Sequence, residues 1–134
     1  MEVTKMSLSH NPTMTVLPVT DQDRAKVFYA ETLGLWFIGK SPDGNLVFAL
    51  DGTATLGLME APGGQTDHTV MSFEVSDMDD SIDDLERHGV HFEDYDTPEL
   101  KTVNHVAVNG QEKAAWFKDP EGNILCLHQG AAIV

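Results

Sequence analysis

The chain repeats itself once, and that repetition narrows its possible folds more than any other feature in it. Val19-Thr-Asp21 closes an alternating run rich in β-branched residues and precedes an apolar stripe of helical spacing. Val75-Ser-Asp77 stands in the same relation to a second run and a second stripe. Each aspartate is suited to cap a helix N-terminus, and Gly34 and Gly89 are suited to the left-handed residue that ends one. The halves share few letters, so the repeat is one of pattern. A chain that runs a strand-to-helix plan twice must bury two helical stripes and two strand faces, which predicts a pair of similar modules sharing one sheet system.

Taken in order, residues 1–12 are polar and aperiodic and read as a tail. A strand over 13–19 leads into a helix whose buried stripe is Ala25, Phe28, Tyr29 and Leu33. Strands follow at 35–40, 46–50 and 53–60, separated by the turns Ser41-Pro-Asp-Gly-Asn45 and Asp51-Gly52. Residues 61–67 form the richest Pro/Gly stretch and read as a linker. A strand over 68–75 then feeds a helix that buries Met78, Ile82 and Leu85 and turns Asp79, Asp80, Asp83 and Asp84 to water. Residues 90–95 read as a sixth strand, and 97–112 is a long segment with little pattern beyond 104–108. A hairpin closes the chain, with strands at 113–118 and 123–128 around Asp119-Pro-Glu-Gly-Asn123, and 130–134 is a second tail. The fold class expected is α+β, with β-α-β-β-β modules at 13–60 and 68–129. The likeness of 40–45 to 118–123 is no part of the repeat, because the first turn follows the second strand of its module and the other follows the third.

Composition adds bounds. With 134 residues the chain has the size of one domain. Twenty-two acidic residues against eight basic ones give a formal charge of −14. That field repels nucleic acid and anionic membrane and attracts cations, although a solubility coat explains it as well. The single cysteine, Cys126, excludes an intramolecular disulfide and fits a reducing compartment. No apolar run reaches membrane-spanning length, and residues 1–12 lack the layout of a signal peptide, so a cytoplasmic location is expected.

The paired modules, the Val-x-Asp before each helix, the Ala-x-x-Phe-Tyr-x-x-x-Leu-Gly helix at 25–34 and the closing Asp-Pro-Glu-Gly-Asn turn together resemble the vicinal oxygen chelate superfamily. That superfamily includes glyoxalase I, extradiol dioxygenases, fosfomycin-resistance proteins and bleomycin-binding proteins. The resemblance covers roughly residues 13–129. It implies two modules whose mixed sheets curl into a cup around a ligand, and it does not imply one chemistry. The superfamily's metal enzymes draw ligands from four strand positions, which fall here on Met14, Gly57, Val70 and Cys126. Those residues do not make the nitrogen and oxygen site a divalent ion needs, so neither a metal nor another cofactor is expected.

Strand parity offers a lining for the cup. Met14, Val16 and Pro18 share one face of the first strand, and Thr55, Gly57 and Met59 one face of the fourth. Val70, Ser72 and Glu74 share a face of the fifth strand, and Ile124, Cys126 and His128 one of the last. Leu17, Val19, Phe73, Val75, Leu125 and Leu127 fall on the opposite faces and suit packing against helices. Trp116 and Phe117 are neighbours, so one faces the cup and the other the helices, in an order the sequence leaves open. If the fifth and last strands pair in parallel, as the resemblance implies, His128 lies level with Ser72 and near Glu74. The pair then has two readings, an acid–base couple in a partly dry cup or two residues at wet strand ends. Cys126 is a small buried hydrophobe or, with a cation to lower its pKa, a nucleophile. Residues 97–112 suit a lid, a dimer contact or a plain loop.

Two functions follow as expectations. The first is a metal-independent binding protein of the glyoxalase and bleomycin-resistance type, a homodimer holding a small organic molecule in an apolar cup. A cationic, partly aromatic compound such as a glycopeptide antibiotic is its most specific form, with antibiotic sequestration as the role. The second is a lyase, isomerase or dioxygenase-like enzyme with an atypical site, either a metal-independent lyase or isomerase acting through Glu74 and His128 or a metal enzyme whose ligands lie at other positions.

Overall fold

In the computed structural model, residues 8–130 are described, and the expected tails at 1–7 and 131–134 lie outside them. The alternating run forms β1 (Met14–Val19), which buries Leu17 and Val19 and leaves Met14 and Val16 exposed. Asp21 then caps α1 (Gln22–Val27), its carboxylate accepting the Arg24 N–H at 3.1 Å. A wider π turn, Phe28–Thr32, carries the helix to Gly34, whose φ of 75° reverses the chain. Strands β2 (Trp36–Lys40), β3 (Leu46–Ala49), β4 (Thr55–Glu60) and β5 (Thr69–Glu74) follow. Asp77 caps α2 (Met78–Arg87) as Asp21 caps α1, accepting from the Asp80 N–H.

The remaining strands are β6 (Ala107–Asn109), β7 (Glu112–Lys118) and β8 (Ile124–Gln129). The expected strand at 90–95 is absent. Phe92 makes a single bridge to Phe117 and is otherwise drawn into the core as a side chain. The place beside β7 is taken by β6, brought there through a turn that opens on Gly110 at φ 63°, which follows Asn109.

Hydrogen bonds order the strands into two four-stranded mixed sheets, β1-β4-β3-β2 and β5-β8-β7-β6. In each sheet the first and last strands of the module pair in parallel and the others antiparallel. The result is α+β, two β-α-β-β-β modules of matching topology.

One core serves both sheets. A file of aromatic rings runs Phe37, Phe48, Tyr29, Phe28, Phe117 and Phe92, with neighbouring centroids 5.2–6.5 Å apart. It crosses from the first module to the second through α1 and the π turn. The closing turn of the second module locks onto the same helix. The Tyr29 hydroxyl donates to the buried Asp119 carboxylate at 2.6 Å, and the Asn123 amide donates to Asp119 and to the Pro18 carbonyl, both at 2.9 Å. Glu121 takes hydrogen bonds from Arg24 and from the Thr20 N–H. Burial, followed by the Asp119 charge, raises the Tyr29 pKa far above its ordinary value, so this hydroxyl is a fixed donor.

Candidate functional site

Since both sheets spend one face on the shared core, the opposite faces are what the molecule offers to a ligand. On the first sheet this face is apolar. Register sets Met14 beside Thr55, Val16 beside Gly57 and Pro18 beside Met59, so the expected lining residues of this half do share a face. Gly57 is buried because Met14 lies over it, and a Cβ added there would stand 2.8 Å from the Met14 sulfur.

The second sheet's open face is polar at one end and aromatic in the middle. Trp116 pairs with Cys126, which pairs with Ser72, in one row across β7, β8 and β5. One row on, about 7 Å along the strands, Ala114 pairs with His128 and His128 with Glu74. His128 is therefore level with Glu74, not with Ser72. A β-bulge in β5 between Thr69 and Met71 shifts the register, so Thr69, not Val70, stands opposite Ile124. Val70 packs against the core instead of lining the open face. Thr69 accepts a hydrogen bond from the Trp116 ring N–H at 3.1 Å, and Tyr95 meets the same indole edge-on at 5.7 Å. Phe117 points the other way and is fully buried beside Phe28 and Phe92, so of the two neighbouring aromatics only Trp116 belongs to this face.

His128 is the electrostatic centre of the face. Its Nδ1 lies 2.8 Å from Glu74 Oε1 and its Nε2 3.0 Å from Glu112 Oε1. The Glu74 hydrogen bond, reinforced by Glu112, raises the His128 pKa against an opposing effect of burial. Doubly protonated, the ring donates to both carboxylates; singly protonated, it can donate to only one of them. Cys126 sits two residues away, 5% exposed, its thiol directed at the Leu127 carbonyl at 3.2 Å. Burial raises its pKa, which suits a packed thiol and not a nucleophile.

The four positions corresponding to metal ligands in the resembled enzymes present a thioether, no side chain, an isopropyl group turned to the core and a buried thiol. They do not fit a divalent ion. Among the described residues no three His, Cys, Asp or Glu side chains converge as a metal site. Glu74 and Glu112 hold opposite edges of the imidazole and so cannot close on one ion with it.

Two grooves adjoin this cluster. One, of about 520 Å³, is lined by Leu100, Lys101, Val108, Glu112, Trp116 and His128. The second, of about 560 Å³, lies between the modules, with Trp36, Leu50 and Asp51 from the first and Met71, Ser72 and Glu74 from the second. Trp36 is 77% exposed. Glu74 thus borders the second groove while bonding a residue of the first. Strand reasoning from sequence passed over Trp36, Thr69, Tyr95, Lys101 and Glu112. Glu112 was within reach, because it shares parity with Trp116 on a strand whose pairing is set by the 119–123 turn.

No helix among the described residues is long and apolar enough to cross a membrane. A sequence model of the Glyoxalase/Bleomycin resistance protein/Dioxygenase superfamily matches residues 11–127. Among solved structures, the chain is similar to TnmS3, an antibiotic binding protein from Streptomyces sp. CB03234, with 28% identity, 95% of this chain and 100% of that one covered, and a TM-score of 0.68. It is similar to a glyoxalase/bleomycin resistance protein from the same Streptomyces at 27% identity, covering 89% and 99%, with a TM-score of 0.62. A lactoylglutathione lyase from Agrobacterium tumefaciens shares the fold at 20% identity, 88% and 92% coverage and a TM-score of 0.63. No curated protein matches the chain.

Proposed function

The chain belongs to the Glyoxalase/Bleomycin resistance protein/Dioxygenase superfamily, and from that premise we propose that it is a cytoplasmic binding protein that sequesters a small organic molecule without a metal. The observation that carries this reading is the 520 Å³ groove with Trp116 in its wall. The indole is held in place by Thr69 and Tyr95, which suits it to stack a planar part of a ligand at little entropic cost. Glu99, Leu100 and Lys101 of the 97–112 segment wall the same groove. The similarity to an antibiotic binding protein supports an antibiotic as the ligand class. The protein acts as a homodimer, and the exposed apolar face of Met14, Val16 and Met59 adds an apolar part to the surface offered to the ligand.

Calorimetric screening of aromatic antibiotics, cationic glycopeptides among them, tests the reading. A bound compound at a hundredfold excess over its Kd stabilises the fold by about 2.7 kcal/mol, and Trp116→Ala removes that gain. A screen with no stabilising compound would count against sequestration.

The contact between Glu74 and His128 favours a second reading, a lyase or isomerase of the lactoylglutathione-lyase type with an atypical site. Turnover by the metal-free protein that is lost in Glu74→Gln or His128→Gln would replace the first reading with this one, whereas stoichiometric zinc, nickel, manganese or iron in the purified protein, with activity lost on chelation, would overturn both metal-free readings.

A further inference from the structure

Glu74 and Glu112 hold opposite edges of His128, and each does so from a different groove. Glu74 meets Nδ1 and borders the groove between the modules. Glu112 meets Nε2 at 3.0 Å and lines, with His128, the groove that contains Trp116. Glu74 thus fixes the ring, while Glu112 covers the ring nitrogen on the side of the Trp116 groove. The Glu112 side chain is half exposed at the first position of β7, so its carboxylate can turn out into water without breaking the strand. Resting on the binding function proposed above, we infer that the ligand carries a carboxylate or a comparable oxyanion, which takes the place of Glu112 on His128 Nε2 while a planar part of the ligand lies on Trp116, one row away.

The charges around the groove favour this exchange. Lys101, Lys113 and the charged His128 border it against Glu99 and Glu112, three positive groups to two negative ones in a chain whose formal charge is −14. With Glu112 turned out the count is three to one, and the imidazolium N–H it leaves is a charge-assisted donor for an oxyanion. Lys101 also lies 4.0 Å from Asp96, a contact exposed on both sides and therefore weak. On the other sides of the ring stand Glu74 of β5, Ala114 of β7 and, one row away on β8, the packed thiol of Cys126, which burial keeps protonated. The hydrogen bonds from Glu74 and Glu112 hold the His128 pKa above its ordinary value, so the charged ring persists toward higher pH than for a free histidine. Below that pKa one carboxylate replaces another and no proton moves. Above it the ring has one N–H for two acceptors, and a bound oxyanion brings in a proton from solvent.

2-Naphthoate and its neutral isostere 2-naphthamide separate the exchange from binding as such. Titration calorimetry below the ordinary histidine value of 6.5 is expected to show naphthoate binding about tenfold tighter than naphthamide. Above the His128 pKa the naphthoate affinity falls by about tenfold per pH unit, with about one proton taken up per molecule bound, as read in two buffers of different ionisation enthalpy. Naphthamide shows no slope. Glu112→Gln removes the competing carboxylate, so it raises naphthoate affinity several-fold below pH 6.5 and leaves naphthamide affinity in place. His128→Gln erases both the preference for naphthoate and its slope. Equal affinities for the two compounds in the unaltered protein, or weaker naphthoate binding in Glu112→Gln, overturn the exchange and leave the binding function standing. If neither compound binds at any pH while an aromatic antibiotic does, the exchange alone falls. If nothing aromatic binds, both fall.

Discussion

The two modules are built on one plan and use it differently. Corresponding positions in the middle of the fourth and eighth strands hold Gly57 and Cys126, each beside a parallel neighbour, Val16 and Ser72 respectively. In the first module that position is a bare backbone roofed by Met14, and the surrounding face is apolar. In the second it lies between an indole and an imidazole clasped by two carboxylates. Matching topology therefore fixed where side chains stand, and the side chains alone made one face greasy and the other reactive to charge. The turns show the converse. Ser41–Asn45 and Asp119–Asn123 close with the same hydrogen bonds, from the first residue's N–H to the fifth carbonyl and from the glycine N–H to the first carbonyl. They nevertheless occupy different places in their modules, β2–β3 and β7–β8. Local chemistry was reused without the topology.

The largest effect expected within these contrasts lies on β7, where adjacent residues serve opposite faces. Phe117→Ala removes the ring that joins Phe28 to Phe92 in the aromatic file and should cost about 4 kcal/mol in chemical denaturation. Trp116→Ala, one position away, should cost far less stability and show its effect in ligand affinity. Equal losses would mean that the second sheet has no dedicated binding face.

Next in size is the contrast between the turns. Asp119→Ala leaves the Tyr29 hydroxyl and the Asn123 amide without their buried acceptor, for an expected loss of about 3 kcal/mol. Ser41→Ala, at the matching position of the exposed turn, loses the acceptor of the Asn45 N–H and should cost less than about 1 kcal/mol. A shift of similar size in both variants would show that Asp119 is only a turn former.

The smallest effect concerns the equivalent strand positions. Gly57→Ala brings a methyl group within contact of Met14 and should cost about 1 kcal/mol. The same change made in a Met14→Ala background should be nearly neutral, and a double-mutant cycle measures the coupling. If the cost persists without Met14, the glycine serves the backbone and not the roof above it.

Most of the fold was legible because its signals are local. Capping aspartates, terminal glycines and alternating runs each act within a few residues, and together they placed both helices and seven of the strands expected before the structure. The eighth was misplaced at 90–95 since Val90 and Phe92 are apolar for a reason other than strand formation: they pack into the core from an irregular segment. Gly110-Gln111 was the better signal, a two-residue hairpin turn opening on glycine in an otherwise patternless stretch. At the site, parity put Ser72, Glu74, Cys126 and His128 on one face, but a single bulged residue exchanged Val70 for Thr69. Bulges carry little signature of their own, and parity arguments fail silently beyond them. Parity with Trp116 places Glu112 on the same face, but its contact with His128 is set by register across the hairpin, not by neighbours in the chain.

The lock between the modules has a consequence for what counts as a unit. Pro18, Thr20, Arg24 and Tyr29 of the first half all hold residues 119–123 of the second, and in the 61–67 link the Gln65 amide donates to the same Pro18 carbonyl at 3.2 Å. Cutting the peptide bond within 61–67 removes none of those bonds. The halves are then the two pieces of a split protein, each presenting the polar groups and aromatic rings that the other was shaped to cover, and each expected to recover its structure on meeting its complement.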